Sequence, residues 1–347
     1  MERSSQADFF KYQMSYINTD CSPSHLFNNM SSTDKNLMFI HNSEVQPRII
    51  CIDQKILSSE DNSDKIAMFI TKFNSNETNE MIIIKSMFLN NVYYVAVGLY
   101  GGFKLWSSDG NRLLFQIPAK VKDKDRPYAF ASICEFVSQE GKSADSILCG
   151  DNYGTLYLIV GFGQIWRSKI IYNYEGISIT SLAASNENVA LGYENGEIHI
   201  IKIKGDSLVG NPIKVLNNLK LPCISMSVLN YNRESSTPTK FLIAAFLNGE
   251  VKLLNILNGD LLSSLSCHLR MINSLQTFGE YFITLGDDCY CNIFRVISQQ
   301  GDVKVEGNIE IPDRMPVGVV VLPKQEYFDL VISFYDSTEI AFVTLSK

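Results

Sequence analysis

Metal ligation is the first chemistry to test, because eight cysteines and four histidines (His25, His41, His199 and His268) are available in 347 residues. Cys289 and Cys291 stand two positions apart, a spacing that turns both thiols to one side if the segment is a strand. A zinc site still needs two more ligands. Neither a Cys-x-x-Cys pair nor a His-Glu-x-x-His motif supplies them. The cysteines therefore read as thiols packed among apolar neighbours, and neither a metal nor another cofactor is expected.

Phosphate and nucleophile chemistry fare no better. Gly161-Phe162-Gly163-Gln164-Ile165-Trp166 begins like a dinucleotide loop but ends in tryptophan, with no helix pattern after it. It reads as a turn between two strands. No Gly-x-Ser-x-Gly elbow is present, and no serine stands in a recognisable relation to a histidine and an aspartate. The chain is expected not to be an enzyme.

Composition narrows the partners. The formal net charge is -7, hydrophobic residues make up 46 % and charged residues 19 %. That is enough apolar matter for a core. The acidic balance argues against nucleic acid, whose binders need a cationic face. The interleaved stretch Lys120 to Arg126 reads as a solvated loop. MERSSQADFF has no apolar run of signal-peptide length, and aliphatic runs such as Val317 to Val321 are too short to span a bilayer. A soluble, cytoplasmic protein of a reducing compartment is expected, with scattered free thiols.

The elements that must position any site are set by a repeat. A β-branched run, a small residue, a tight polar turn and an alternating apolar run recur six times, with the small residue at Gly98, Gly150, Gly192, Ala245, Gly286 and Ser333. Neighbouring small residues are 41 to 53 positions apart. Each unit is a β-hairpin, and Asn195-Gly196 and Asn248-Gly249 supply the positive φ of tight turns. Alternation in Glu197-Ile198-His199-Ile200 is read as two faces in different surroundings. Two more strand-like runs lie between hairpins, and four strands per period is the pattern of a propeller blade.

The hairpins fall near 92–106, 147–160, 189–203, 242–257, 282–296 and 330–345, with a seventh near 37–52 that lacks a turn glycine. The run near 11–17 has no partner of its own, while the last blade is one strand short. Donation of that strand would close the ring and remove an exposed edge. The fold expected is all-β: residues 1–347 as a single seven-bladed β-propeller. Segments 58–64, 74–80 and 233–239 read as polar inter-strand loops, and no helix of useful length competes.

The sixth repeat carries a family resemblance. Cys267-His268, Ile272-Asn273-Ser274-Leu275 and Phe282 to Phe294 resemble a degenerate repeat of the WD-repeat propeller family. The resemblance places His268 as the family's Gly-His histidine, Thr284 as its strand serine, Asp287 or Asp288 as its turn aspartate, and Phe294 where the Trp-Asp tryptophan stands. These groups form a hydrogen-bonded ladder in the family, incomplete here without the indole. Leu105-Trp106 keeps a tryptophan but follows it with Ser107. The resemblance implies a non-catalytic platform for protein partners, in a cytoplasmic or, by fold analogy, ciliary (axonemal) assembly.

The hairpin turns also carry a run of rings: Tyr100, Tyr153, Tyr193, Phe246, Tyr290, Phe334 and Tyr335. Turns of one kind converge on one end of a propeller, so these rings either form an interface patch or fold back between blades. Two other functions compete with a protein scaffold. One is phosphoinositide and membrane-surface binding, disfavoured by the acidic charge and the lack of an Arg-Arg pair. The other is an enzyme whose groups gather from separate blades at the central channel. The ubiquitin-ligase adaptor version is weakened by Asn292-Ile-Phe-Arg-Val296, which lacks the aspartate of the adaptors' Trp-Asp-x-Arg motif.

Overall fold

Alternating β-branched and aromatic runs separated by Asn, Asp and Gly turns pair as antiparallel hairpins, because each turn returns the chain onto itself within a few residues. In the computed structural model these hairpins build seven antiparallel sheets. The structure describes residues 9–19, 21–26, 29–42, 47–57, 80–118, 126–137, 144–162, 165–215, 220–231, 239–325 and 327–346. The loop expected at 58–64 lies outside these residues, as do 74–79 of the loop expected at 74–80, 233–238 of that at 233–239, 120–125 of the basic run 120–126, and 163–164 of the turn at 161–166.

A strand β1 (Lys11–Asn18) opens the chain. Blade 1 then follows as β2 (Met30–Ser32), β3 (Asn36–His41) and β4 (Arg48–Asp53), with a single helical turn α1 (Gln54–Leu57) after it. Blade 2 is β5 (Met81–Leu89), β6 (Val92–Leu99), β7 (Gly102–Ser107) and β8 (Leu113–Pro118). Blade 3 is β9 (Phe130–Phe136), β10 (Ser146–Asp151), β11 (Thr155–Phe162) and β12 (Ile165–Asn173). Blade 4 is β13 (Ile179–Ser185), β14 (Asn188–Tyr193), β15 (Ile198–Lys204) and β16 (Ser207–Val215). Blade 5 is β17 (Cys223–Tyr231), β18 (Thr239–Phe246), β19 (Glu250–Asn255) and β20 (Leu261–Ser266). Blade 6 is β21 (Ile272–Phe278), β22 (Tyr281–Gly286), β23 (Tyr290–Val296) and β24 (Val303–Glu310). Blade 7 is β25 (Pro316–Pro323), β26 (Phe328–Phe334) and β27 (Glu339–Ser346), completed by β1.

Closure occurs as expected. β1 pairs antiparallel with β27 along its length, from Lys11 opposite Ser346 to Asn18 opposite Glu339. The first strands of the blades stand side by side around the axis, and β25 meets β2, so the ring is shut. Blade 1 shows three strands among the described residues.

The core is divided among the seams. Seven apolar clusters fill the seven spaces between neighbouring blades, so both faces of every sheet are covered. This corrects the two-environment reading of Glu197-Ile198-His199-Ile200, since Ile198, His199 and Ile200 are all buried. Glycine makes one seam possible in a direct way. A Cβ on Gly192 would lie 2.3 Å from Ser181 Oγ and 2.8 Å from Cys223 Sγ of the next blade.

Polar side chains on the inner strands also tie blade to blade. Ser132 Oγ donates to the Ile179 carbonyl at 3.2 Å, Thr180 Oγ1 and Ser181 Oγ donate to the Cys223 carbonyl at 2.6 and 2.8 Å, and Asn273 Nδ2 donates to the Pro316 carbonyl at 2.6 Å. Each accepting residue sits beside a one-residue register shift in its strand or, for Pro316, opens one. A bulge leaves ladder groups without cross-strand partners, and the neighbouring blade supplies them.

The seam geometry sets an expectation for two glycines. Gly192→Ala lowers the unfolding free energy by about 1–3 kcal/mol, because its Cβ overpacks a rigid seam. Gly307→Ala, whose Cβ would meet only the Ile293 side chain at 3.3 Å, is neutral within about 1 kcal/mol. Urea denaturation of both variants checks this, and equal losses would remove the seam explanation.

Candidate functional site

One end of the ring gathers the turns between second and third strands together with the segments that enter each inner strand. A repeated backbone bond fastens the two sets. Tyr100 donates to the Glu80 carbonyl, Asn152 to Ala129, Glu194 to Ser178, Leu247 to Pro222, Asp287 to Met271 and Tyr335 to Met315, at 2.8 to 3.1 Å. Side chains add to this. Arg126 links blades 3 and 4 through Nη2 to Glu194 Oε1 at 3.1 Å and Nη1 to the Gly176 carbonyl at 2.9 Å.

The seven rings divide by register. Tyr193, Phe246 and Phe334 are the last residues of their second strands, directly opposite Ile179, Cys223 and Pro316. All three are fully buried in the seams, so an exposed patch of all seven rings does not form. Tyr153 is half-buried: its hydroxyl donates to the Arg126 carbonyl at 2.7 Å, and its ring stacks on Tyr128 at 5.9 Å. Tyr290 is also half-buried. Tyr100 and Tyr335 are the two that stand exposed, at 36 % and 55 %.

Blade 6 solves the same position differently. Gly286 lies opposite Ile272, in the register that Tyr193, Phe246 and Phe334 occupy elsewhere. The residue corresponding to Gly192 is therefore Leu285 and not Gly286, which shifts the small-residue reading of this blade by one. The space above Gly286 is filled by His268, whose Nδ1 would be 2.4 Å from a Cβ there. His268 Nδ1–H donates to Asp288 Oδ1 at 2.8 Å, and Thr284 Oγ1–H donates to Nε2 at 2.8 Å. These partners define the tautomer. Asp288 Oδ2 accepts the Leu269 backbone N–H at 2.9 Å, while Asp287 accepts from Asn273 at 2.5 Å. Asp288 and not Asp287 thus joins the His268–Thr284 pair. Phe294 is buried and stacks on Phe282 at 4.8 Å.

The cysteine pair is separated by conformation. Cys289 is not on a strand: it takes φ 66° in the turn, where Gly154, Gly196 and Gly249 stand in other blades. Cys291 follows on β23 and is buried. Burial pushes the Cys134, Cys223, Cys267 and Cys291 thiols up to about 12, which keeps them protonated and unreactive. No group of three or more His, Cys, Asp or Glu residues suited to a metal occurs among the described residues.

Sequence reasoning missed a buried polar cluster between blades 3 and 4. His199 accepts from the Tyr172 hydroxyl at 3.1 Å through Nδ1 and donates from Nε2 to Glu197 at 3.0 Å. Tyr174 and Tyr193 pack on its ring at 4.6 and 4.7 Å, and Lys214 Nζ lies 4.7 Å over Tyr174. Burial pushes the His199 imidazole down, opposed by the Glu197 hydrogen bond and assisted by the Lys214 charge. Burial raises Glu197, but hydrogen bonds from His199 and Tyr174, with the charges of His199 and Lys214, hold it below the usual carboxylate range. The sequence signal was available: His199 stands on a third strand of alternating apolar residues, six positions after Tyr193.

The axis holds a channel of about 220 Å³, lined by residues of all seven inner strands. Its polar lining includes Ser86, Ser132, Ser181, Ser227 and Gln276, with Lys85. Most of these hydroxyls already bridge blades, so the channel wall is structural.

No protein-family model matches the sequence, and no curated protein matches it. Among solved structures 1467 chains match. One is the crystal structure of Raptor from Chaetomium thermophilum, with a TM-score of 0.67 and 13 % identity over 98 % of this chain. The match covers 29 % of the Raptor chain. At that identity the likeness shows the fold alone, and the fold is a propeller.

Two outcomes test this geometry. His268→Ala and Thr284→Val each cost about 1–3 kcal/mol, and the double variant costs less than the sum by about 1 kcal/mol, as hydrogen-bonded partners do. Strict additivity in a double-mutant cycle would deny the pair. Acidification acts on the His199 cluster. An unfolded histidine takes its proton near 6.5 while folded His199 resists it, so stability falls as pH drops below that value. A further loss follows below 4.5, where Glu197 must protonate. His199→Gln flattens the first of these losses when urea midpoints at pH 7.5 and 5.5 are compared.

Proposed function

We propose that the ring is a non-catalytic scaffold that holds protein partners at its hairpin-turn rim, as a subunit of a larger cytoplasmic or ciliary assembly. The observation that carries this reading is the repeated backbone bond that fastens a turn to the entering strand in six blades. Side chains on loops held this way lose little conformational entropy on binding. Tyr100 and Tyr335, with the half-buried Tyr153 and, at the start of β23, Tyr290, present amphipathic rings at this rim.

The order and spacing of the blades resemble those of WD-repeat-containing protein 54. The resembling segments are 36–42, 189–201 with its Tyr-x-Asn-Gly turn, 279–296 and 333–340. A role as an interaction platform is in keeping with that resemblance.

The test is affinity capture from the native source with the full chain, read by mass spectrometry. The control is Tyr100→Ser/Tyr335→Ser, which leaves the buried rings in place. Partners captured by the wild type and lost from the control support the rim. Retained partners move the interface to another face, and an empty capture removes the scaffold reading.

A further inference from the structure

The rim is uneven in exposure and in charge. Over blades 6, 7 and 1, three side chains with large apolar area stand out of it: Leu269 at 95 %, Tyr335 at 55 % and Met315 at 44 % exposure. Bonds link their positions into one arc. The Leu269 N–H reaches Asp288, and Asn273 Nδ2 spans Asp287 and the Pro316 carbonyl, next to Met315. The Tyr335 N–H then donates to the Met315 carbonyl at 2.8 Å, and the Tyr335 ring meets the His25 ring edge-on at 6.1 Å.

Carboxylates dominate this arc. Asp287, Asp288, Asp313, Asp336 and Glu339 lie along it with Arg270 and Arg314, and Asp287 and Asp288 are held by Asn273 and His268. Arg314 is already committed: it pairs with Glu339 at 2.5 Å and lies 4.2 Å over the Tyr16 ring and 5.3 Å over Phe334. Asp313 and Asp336 project at the surface with no hydrogen-bond or ion-pair partner among the described residues. Exposed apolar anchors beside the unpaired Asp313 and Asp336 match a ligand with the opposite charge and the same apolar character. The Tyr335 face suits a lysine or arginine cation, and Leu269 and Met315 suit an aliphatic side chain.

We propose that this arc docks a basic segment of a protein partner in which lysine or arginine alternates with leucine-like residues. The inference rests on the scaffold reading and adds the chemistry of the partner. An anionic lipid surface is the wrong match, because the arc repels it.

The probe is a fluorescein-labelled Lys-Leu-Arg-Lys-Leu-Arg peptide titrated with the full chain and read by anisotropy, beside a counterpart with glutamate for every cation. Saturable binding of the basic peptide alone is expected, weakening about tenfold between 50 and 300 mM salt as charge contacts are screened. Asp313→Asn/Asp336→Asn lowers the affinity about tenfold. Asparagine tolerates the φ of 57° and 49° at these positions, so that variant keeps the backbone. Leu269→Ser/Met315→Ser lowers it by a similar factor. No saturable binding, equal binding of the acidic peptide, or an affinity unchanged in both variants overturns the arc. If that happens while native partners are still captured, the scaffold stands without it. An empty capture and an inert peptide together overturn both.

Discussion

Every sheet in this ring needs a neighbour on each face. The second and third strands of the blades are largely apolar on both sides, and their side chains meet across the seams, where the seven core clusters lie. A four-stranded sheet with two bare apolar faces has no stable existence in water. Closure of the ring is therefore the condition for any single blade, and it depends on β1 lying against β27. Ile17, Met30, Phe39 and Val331 share one cluster, so the strand that shuts the ring also fills the seam between blades 7 and 1.

The rim inherits its form from those seams. At the end of each second strand one side chain points inward, and its size decides how the turn above it is held. Rings of Tyr193, Phe246 and Phe334 fill the space by burial alone. In blade 3 the same register holds Asp151, which accepts from the Tyr128 hydroxyl at 2.8 Å and from the backbone of Tyr153 and Thr155. Blade 6 places glycine there and brings in His268 from the entering loop. Three chemistries thus meet one steric requirement. The polar version fixes the loop through hydrogen bonds and the aromatic version fixes it through packing.

This explains what was legible in the sequence. The hairpins, the blade number and the donated strand could be read because they depend on turn residues and on runs of apolar side chains, which are local. His268, Thr284 and an acidic partner could be read from the family resemblance, but the choice of Asp288 over Asp287 depends on a register shift between Ile272 and Ser274. The fate of the aromatic rings was also a matter of register. Tyr193, Phe246 and Phe334 directly follow the small residue and end a strand. Tyr100 and Tyr335 come one position later, in the turn proper, and the period of two sends them outward. Cys289 escaped because its strand begins one residue later than the alternation suggested, leaving it in a left-handed turn.

The same distinction governs how substitutions on this rim are to be interpreted. A ring such as Tyr193, packed on Tyr174 and His199, holds two blades together, and its loss loosens the turn above. Binding would fall in such a variant even if the ring never touched a partner. Tyr335 carries less of that burden: more than half of its surface is open, its ring meets the His25 ring edge-on, and its backbone N–H fastens the turn to Met315. Removing its side chain leaves that bond intact. Contact residues on this ring are therefore those whose side chains can be lost without cost to the seam, and the residues that look most important by burial are the ones least able to report on a partner.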